Sequence, residues 1–408
     1  LLRKLGLIAI AAMVAIIVAG CRGESNNASN HSGNTAGGNA NEMNEAQTTG
    51  NEQPEGQPDP TASMSSNNDG QGDAAESDQD SEPEPEQEPY QVIAEGLKIP
   101  WSIAFAGDTI YLSEREGDIV ELKDEKLERQ KVNLSKAVHH EGEGGFLGLL
   151  LAQDFNESGL AYAYHTYAEN GATKNRVVLL KQSGSAWEEQ RALLEDIPGD
   201  LYHNGGRLAF GPDDMLYVTT GDATEGGHAQ DKDSLGGKIL RMTPDGDIPP
   251  DNPFENSYVY SYGHRNPQGL AWTADGVMYS TEHGPSGNVG GHDEINRIEP
   301  GGNYGWPDVI GDQKLKGTIA PLYHTGDEAI APSGTIIDEE GRLIIAALKG
   351  EAIYRYTPST GEMEKLHDGE GRIRDVKLKE GLLYFITNNR DGRGQPGETD
   401  DRLVAIKL

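Results

Sequence analysis

From residue 90 onward, short apolar runs alternate with turns rich in Asp, Glu and Gly, and the alternation repeats along the chain. In each repeat an apolar segment enters an acidic or glycine turn, and a second apolar segment leaves it to end in small or polar residues. The clearest copies are residues 105–113, 210–219 and 272–280, with looser ones at 337–346 and 376–387. A sixth centres on Asp154-Phe155, followed by an apolar strand at 160–165. Each copy predicts a β-hairpin, because its turn residues tolerate the backbone angles that a tight reversal requires. The spacing of about 53 residues per unit suits a four-stranded propeller blade with long loops. No amphipathic helix of about 10–15 residues alternates with the hairpins, which argues against a doubly wound sheet. The pattern therefore predicts an all-β fold over 90–408, a six-bladed β-propeller of four-stranded antiparallel blades. A pair of β-sandwiches is the alternative.

The first 89 residues have a different character. Arg3 and Lys4 precede an apolar run from Leu5 to Val18, and Val18-Ala19-Gly20-Cys21 follows. That arrangement resembles a bacterial lipoprotein signal, in which the cysteine is lipidated, so Cys21 is expected to anchor the chain to an extracytoplasmic membrane surface. The apolar run is short for a transmembrane span. Residues 22–89 hold 15 acidic side chains and one basic one, with almost no aromatic or β-branched residues. Such a stretch buries too little apolar surface to offset its conformational entropy and is expected to be a disordered tether of about 45 Å r.m.s. span.

Composition narrows the function. A formal net charge of −33 opposes a nucleic-acid partner, and residues 90–408 alone carry 52 acidic against 31 basic side chains. The single cysteine excludes a disulfide framework and a Cys-cluster metal site within this sequence. It also leaves no Cys-x-x-Cys-His haem attachment, so a redox role would need a separate electron acceptor.

The candidate chemistry clusters after the hairpins. Glu114, Asp222, Glu282, Lys349 and Asn388 stand just beyond the second strands of successive units. Side chains at one register of successive blades converge on one channel end, a natural place for a ligand. His203, in His203-Asn204-Gly205-Gly206-Arg207, leads into one hairpin that Asp222 leaves. A carboxylate on an imidazole fixes its tautomer and raises its basicity, as a general base requires. Arg265, in Gly263-His264-Arg265-Asn266-Pro267-Gln268, can hold an anion or polarise a carbonyl. The carboxylates and glycine-rich loop of Glu282-His283-Gly284-Pro285 and His292-Asp293-Glu294 suit Ca²⁺, while His283 and His292 leave zinc open. Lys349, Arg372 and Arg374 suggest a polyanionic small ligand.

Together these motifs resemble the soluble glucose dehydrogenase and glucose/sorbosone (aldose sugar) dehydrogenase family. The resemblance runs from Trp101 to Leu408 and includes Gly142-Glu143-Gly144-Gly145-Phe146-Leu147-Gly148, Gly301-Gly302-Asn303-Tyr304-Gly305-Trp306-Pro307 and Arg372-Ile373-Arg374-Asp375-Val376. It implies a six-bladed propeller that uses pyrroloquinoline quinone (PQQ) and Ca²⁺ to oxidise an aldose to its lactone. By position, His203 matches the base, Asp222 its partner, and Arg265 and Asn266 the residues beside the reactive quinone carbonyl. Lys349, Arg372 and Arg374 match the cofactor's carboxylate ligands, with Thr387 nearby. The carbonyls of Gly284 and Pro285 match calcium ligands, and Glu294 and Tyr304 match part of a second calcium site. Glu143 takes a substrate position that is Gln in glucose-oxidising members. Four extra residues separate Pro285 from Asp293, and an expected aromatic pair is represented only by Tyr323 and His324. These departures admit a non-catalytic carbohydrate- or ligand-binding propeller; a divalent-metal lactonase is a third function, since such enzymes also use six-bladed propellers, but the paired arginines fit it poorly.

Overall fold

A computed structural model describes residues 90–287 and 290–408; the signal-like segment with Cys21 and the acidic segment 22–89 lie outside the described residues. The described residues form 24 strands and two four-residue helical turns, Phe155–Ser158 and Gly227–Gln230. Four sheets have four strands each, and one has eight. The eight-stranded sheet consists of two antiparallel meanders, 100–133 and 146–198, joined by a short parallel pairing of Lys131–Asn133 with Ala186–Glu188.

All six sequence-predicted hairpins are present as the first two strands of these meanders. Five close through short turns. In the sixth, the strands Phe146–Leu151 and Leu160–Glu169 are linked through the helical turn, which ends on Gly159 with φ 65°. Left-handed backbone there suits glycine, which lacks a Cβ to clash.

The first strands pack side by side in a closed round. Pro100–Ala106 lies against Phe146–Leu151, then come Leu208–Phe210, Pro267–Trp272, Pro332–Ile337 and Ile373–Lys379, which returns to Pro100–Ala106. Apolar faces of neighbouring sheets fill the spaces between them. Trp187 is fully buried between the two meanders of the eight-stranded sheet, stacked on Phe155 at 5.9 Å and edge-on to Tyr111 at 5.7 Å. Nearer the centre the buried side chains turn polar. Arg207 pairs with Asp375 at 3.1 Å, and its guanidinium lies 4.3 Å from the Trp101 ring. Asp375 also accepts the Ile103 amide at 3.0 Å, tying three inner strands together.

Tyr90–Ala94, at the start of the described chain, pairs antiparallel with the last strand, Leu403–Lys407. One sheet therefore takes strands from both ends of the folded region, which prevents the round from opening at that seam. Shortening the chain to begin after Ala94 should lower its unfolding free energy by about 2–4 kcal/mol, at roughly 1 kcal/mol per lost ladder hydrogen bond. Urea denaturation of the two lengths measures the difference; identical midpoints would show that the strand does not clasp the fold.

Candidate active site

Segments that lead into the first strands and loops that follow the second strands together line a cavity of about 920 Å³. Its wall brings together Glu143, His203, Arg265, Gly284, Pro285, Lys349 and Arg372 from positions far apart in sequence. His203 Nδ1 stands 2.8 Å from Asp222 Oδ1, and Asp222 is buried. Asp222 also accepts the Trp306 indole N–H at 2.7 Å and the Thr224 amide at 2.9 Å. With acceptors only on an ionised Asp222, the proton between the pair sits on Nδ1, which leaves Nε2 as the basic nitrogen.

Two backbone features make this pairing possible. His203 has φ 59°, a left-handed conformation costing roughly 1–2 kcal/mol for a residue with a side chain. Gly221 lies so close beneath it that a Cβ there would stand 1.8 Å from the His203 carbonyl oxygen. Only glycine allows these segments to cross at that distance.

Glu143 lies beside His203, accepting its backbone N–H at 3.1 Å through Oε2, while Oε1 accepts Arg393 Nη1 at 2.6 Å. Burial alone would raise the Glu143 pKa, but His283, Arg393 and the His203 amide outweigh it and hold the carboxyl at about 2. His283 is itself pushed down to about 3 by burial, so it is neutral near pH 7 and Arg393 is then the nearer countercharge. Arg115 donates to the carbonyls of Gly142 and Gly144 and so shapes the loop that presents Glu143.

The expected cation cluster divides. Lys349 and Arg372 line the cavity, and Lys349 has no carboxylate partner among the described residues. Arg372 is neutralised by Asp391, with Nη2 2.7 Å from Oδ2. Arg374 is buried outside the cavity wall and donates to Gln268 Oε1 at 2.7 Å and to Asn388. Burial lowers its pKa to about 9. Thr387 is also buried away from the wall, accepting the Arg402 amide at 2.8 Å. Of the register series, Glu114 pairs with Arg129, Glu282 with His264, and Asn388 donates to Pro100 O; these three do not line the cavity. Asn266 is fully buried beside the site, with its Nδ2 unpartnered.

The predicted metal loop also changes. Asp293 accepts the amides of Gly284, Ile330 and Ala331 at 2.6–2.7 Å, so its carboxylate serves as a loop cap. The Gly284 and Pro285 carbonyls accept no hydrogen bond from the described residues, and both residues line the cavity. Glu294 and Tyr304 line a small adjoining cavity with Glu282, and burial together with Glu282 raises Glu294 to about 8. The Tyr304 hydroxyl is engaged by Arg297 O and Glu299 N, leaving its carbonyl as the free feature. Among the described residues no group of three His, Cys, Asp or Glu side chains stands together as a metal cluster. Tyr323 and His324 form a two-residue strand and do not reach the cavity wall.

Trp306, Arg393, Asp391 and Arg115 are the contributors that sequence reasoning missed. Trp306 lay in a quoted motif, and Asp391-Gly392-Arg393-Gly394 follows the last hairpin. Their partners, however, are distant in sequence.

Comparison with known proteins gives one consistent answer. Residues 97–395 match the Glucose / Sorbosone dehydrogenase family. The chain is 30% identical to the aldose sugar dehydrogenase YliI of Escherichia coli (strain K12), over 74% of this chain and 90% of that protein. It is similar to the PQQ-bound structure of an aldose sugar dehydrogenase from Streptomyces coelicolor, with 38% identity and a TM-score of 0.71, covering 77% of this chain and 96% of that one. A glucose dehydrogenase structure shares 30% identity and a TM-score of 0.70, covering 78% and 99% of the two chains.

Because the Glu143 pKa is depressed on folding, its ion pair adds stability above the ordinary carboxylate range and loses it as pH falls towards 2. Glu143→Gln should therefore cost stability at pH 6 and progressively less towards pH 3. Urea midpoints at both values test this, and an equal cost at each pH would contradict it.

Proposed function

The chain belongs to the glucose / sorbosone dehydrogenase family, and we propose that it oxidises an aldose at its anomeric hydroxyl to the lactone, with PQQ as hydride acceptor. The supporting observation is the His203–Asp222 pair in a cavity whose wall also carries Arg265, Lys349 and Arg372. The donor set fits a tricarboxylate quinone: Lys349 is uncompensated, Arg372 is at the wall, and Asn266 keeps an unpartnered buried N–H₂. Lys349 and Arg372 would hold the cofactor carboxylates, with Arg374 adding positive potential from behind. The Gly284 and Pro285 carbonyls would hold calcium, a hard cation suited to oxygen ligands. When bound, PQQ supplies a two-electron acceptor and calcium a Lewis acid beside it.

The protein's part is proton transfer and orientation. Asp222 keeps the Nδ1 proton on His203, so Nε2 can take the proton of the anomeric hydroxyl as the C1–H bond yields its hydride. Asp222 also stabilises the imidazolium that results. Glu143, ionised at working pH, offers a hydrogen-bond acceptor to sugar hydroxyls. Arg265 donates to Ser286 Oγ at 3.0 Å and lies 5.4 Å from the Trp306 ring, and would supply positive charge to a quinone carbonyl bound in the cavity.

The closed round of first strands supports a count of six blades. Glu294 and the Tyr304 carbonyl are assigned to a second calcium site. The Cys21 signal supports a lipid-anchored, extracytoplasmic protein that passes its electrons to a separate acceptor. The relatives' described activities favour catalysis over a binding-only propeller.

The full chain, supplied with PQQ and Ca²⁺, should reduce a redox dye with at least one aldose. Asp222→Asn should lower kcat by about 10²–10⁴-fold while leaving cofactor binding intact. Tight cofactor binding without turnover on any aldose would instead support the binding-only function.

A further inference from the structure

The loop between Asn388 and Asp401 pairs with two cavity-lining side chains of opposite charge, Arg372 through Asp391 and Glu143 through Arg393. Asp391 accepts Arg372 Nε at 3.0 Å and Nη2 at 2.7 Å through Oδ2. Its other oxygen accepts the Arg393 amide at 2.9 Å, which fixes the turn from which Arg393 extends. Arg393 then reaches Glu143, 250 residues away in sequence, and its guanidinium lies 5.3 Å from the Tyr202 ring. Glu143 in turn holds the amide of His203, the residue with left-handed backbone that carries the base. A continuous chain of contacts thus runs from Arg393 through Glu143 to His203.

Building on the aldose-oxidising role above, we propose that Arg393 is a positioning residue for the reaction. Its ion pair fixes Glu143, and Glu143 fixes the His203 backbone, so the imidazole stays aligned on Asp222 and the substrate. Arg393 does not touch the reacting atoms. Its side chain is 47% exposed against 16% for Glu143, so solvent screens the arginine end of the pair and limits what Arg393 itself adds to global stability. Its loss should therefore appear in catalysis before it appears in folding. The other charged or titratable groups acting on Glu143 are His203, His283, Arg115, Arg265 and Arg374. The only side chain among the described residues that hydrogen-bonds to the Glu143 carboxylate is Arg393.

The test uses the full chain loaded with PQQ and Ca²⁺, as wild type, R393A, R393K, E143Q and the E143Q/R393A double variant. R393A should lower kcat more than tenfold while lowering the melting temperature no more than E143Q does, and R393K should recover much of the kcat loss. In the E143Q background, adding R393A should change kcat less than threefold, because the charge it serves is already gone. Carbon-13 NMR of glutamate carboxyls should show Glu143 titrating at higher pH in R393A than in wild type. An R393A chain within twofold of wild-type kcat, or equal penalties in both backgrounds, would overturn the positioning role alone. A wild-type chain that binds PQQ yet oxidises no aldose would overturn the proposed function and this role with it.

Discussion

Asp222 accepts hydrogen bonds from the His203 ring, the Trp306 indole and the Thr224 amide, and the geometry of the cavity depends on that convergence. A buried carboxylate is costly unless its lone pairs are satisfied, and here three donors from separate segments satisfy them. The indole belongs to the loop beyond the fourth hairpin, so Asp222 connects neighbouring sheets as well as orienting the base. Gly221 is the steric condition for this arrangement, since any Cβ would collide with the His203 carbonyl. The left-handed His203 is held on one side by Asp222 and on the other by Glu143. Local strain of this kind persists where surrounding contacts over-determine the backbone.

The site also reverses the sign of its surroundings. Residues 90–408 are strongly acidic, yet the cavity wall presents Arg265, Lys349, Arg372 and Arg393 against Glu143, Asp293 and Asp327. Arg372 and Arg393 are paired with carboxylates, whereas Lys349 has none among the described residues. Arg374, buried behind, relies on Gln268, Ser333 and Asn388 oxygens and on the Trp101 ring. Cations held by neutral groups at low dielectric keep a strong positive potential, which suits a small polyanion better than a surface patch would.

The hairpins were legible because each depends on local chemistry: a tight turn between two apolar segments. The turn before Leu160 was only partly legible, since Asp154-Phe155 enters a helical turn in place of a tight reversal. His203 and Asp222 were legible as a pair because one hairpin separates them. Long-range pairings were hidden. Neither the clasp of Tyr90–Ala94 on Leu403–Lys407 nor the reach of Arg393 to Glu143 leaves a local pattern. Asp293 illustrates another limit: a carboxylate in a glycine-rich loop looks like a metal ligand until its oxygens are seen capping three amides. Thr387 and Arg374 matched by position but lie behind the wall; Arg372 precedes the strand that carries Arg374, and the pairing of that strand shifts register between Ile373 and Asp375, so spacing alone did not tell which arginine reaches the cavity.

The state of the His203 imidazole tests the central arrangement most directly. Nitrogen-15 NMR of the full chain near pH 8 should show Nδ1 protonated, hydrogen-bonded and slow to exchange, with Nε2 carrying a lone pair. Asp222→Asn should lose that preference. A wild-type ring protonated on Nε2, or one that averages between the two tautomers, would contradict the role assigned to Asp222 and with it the geometry on which the site depends.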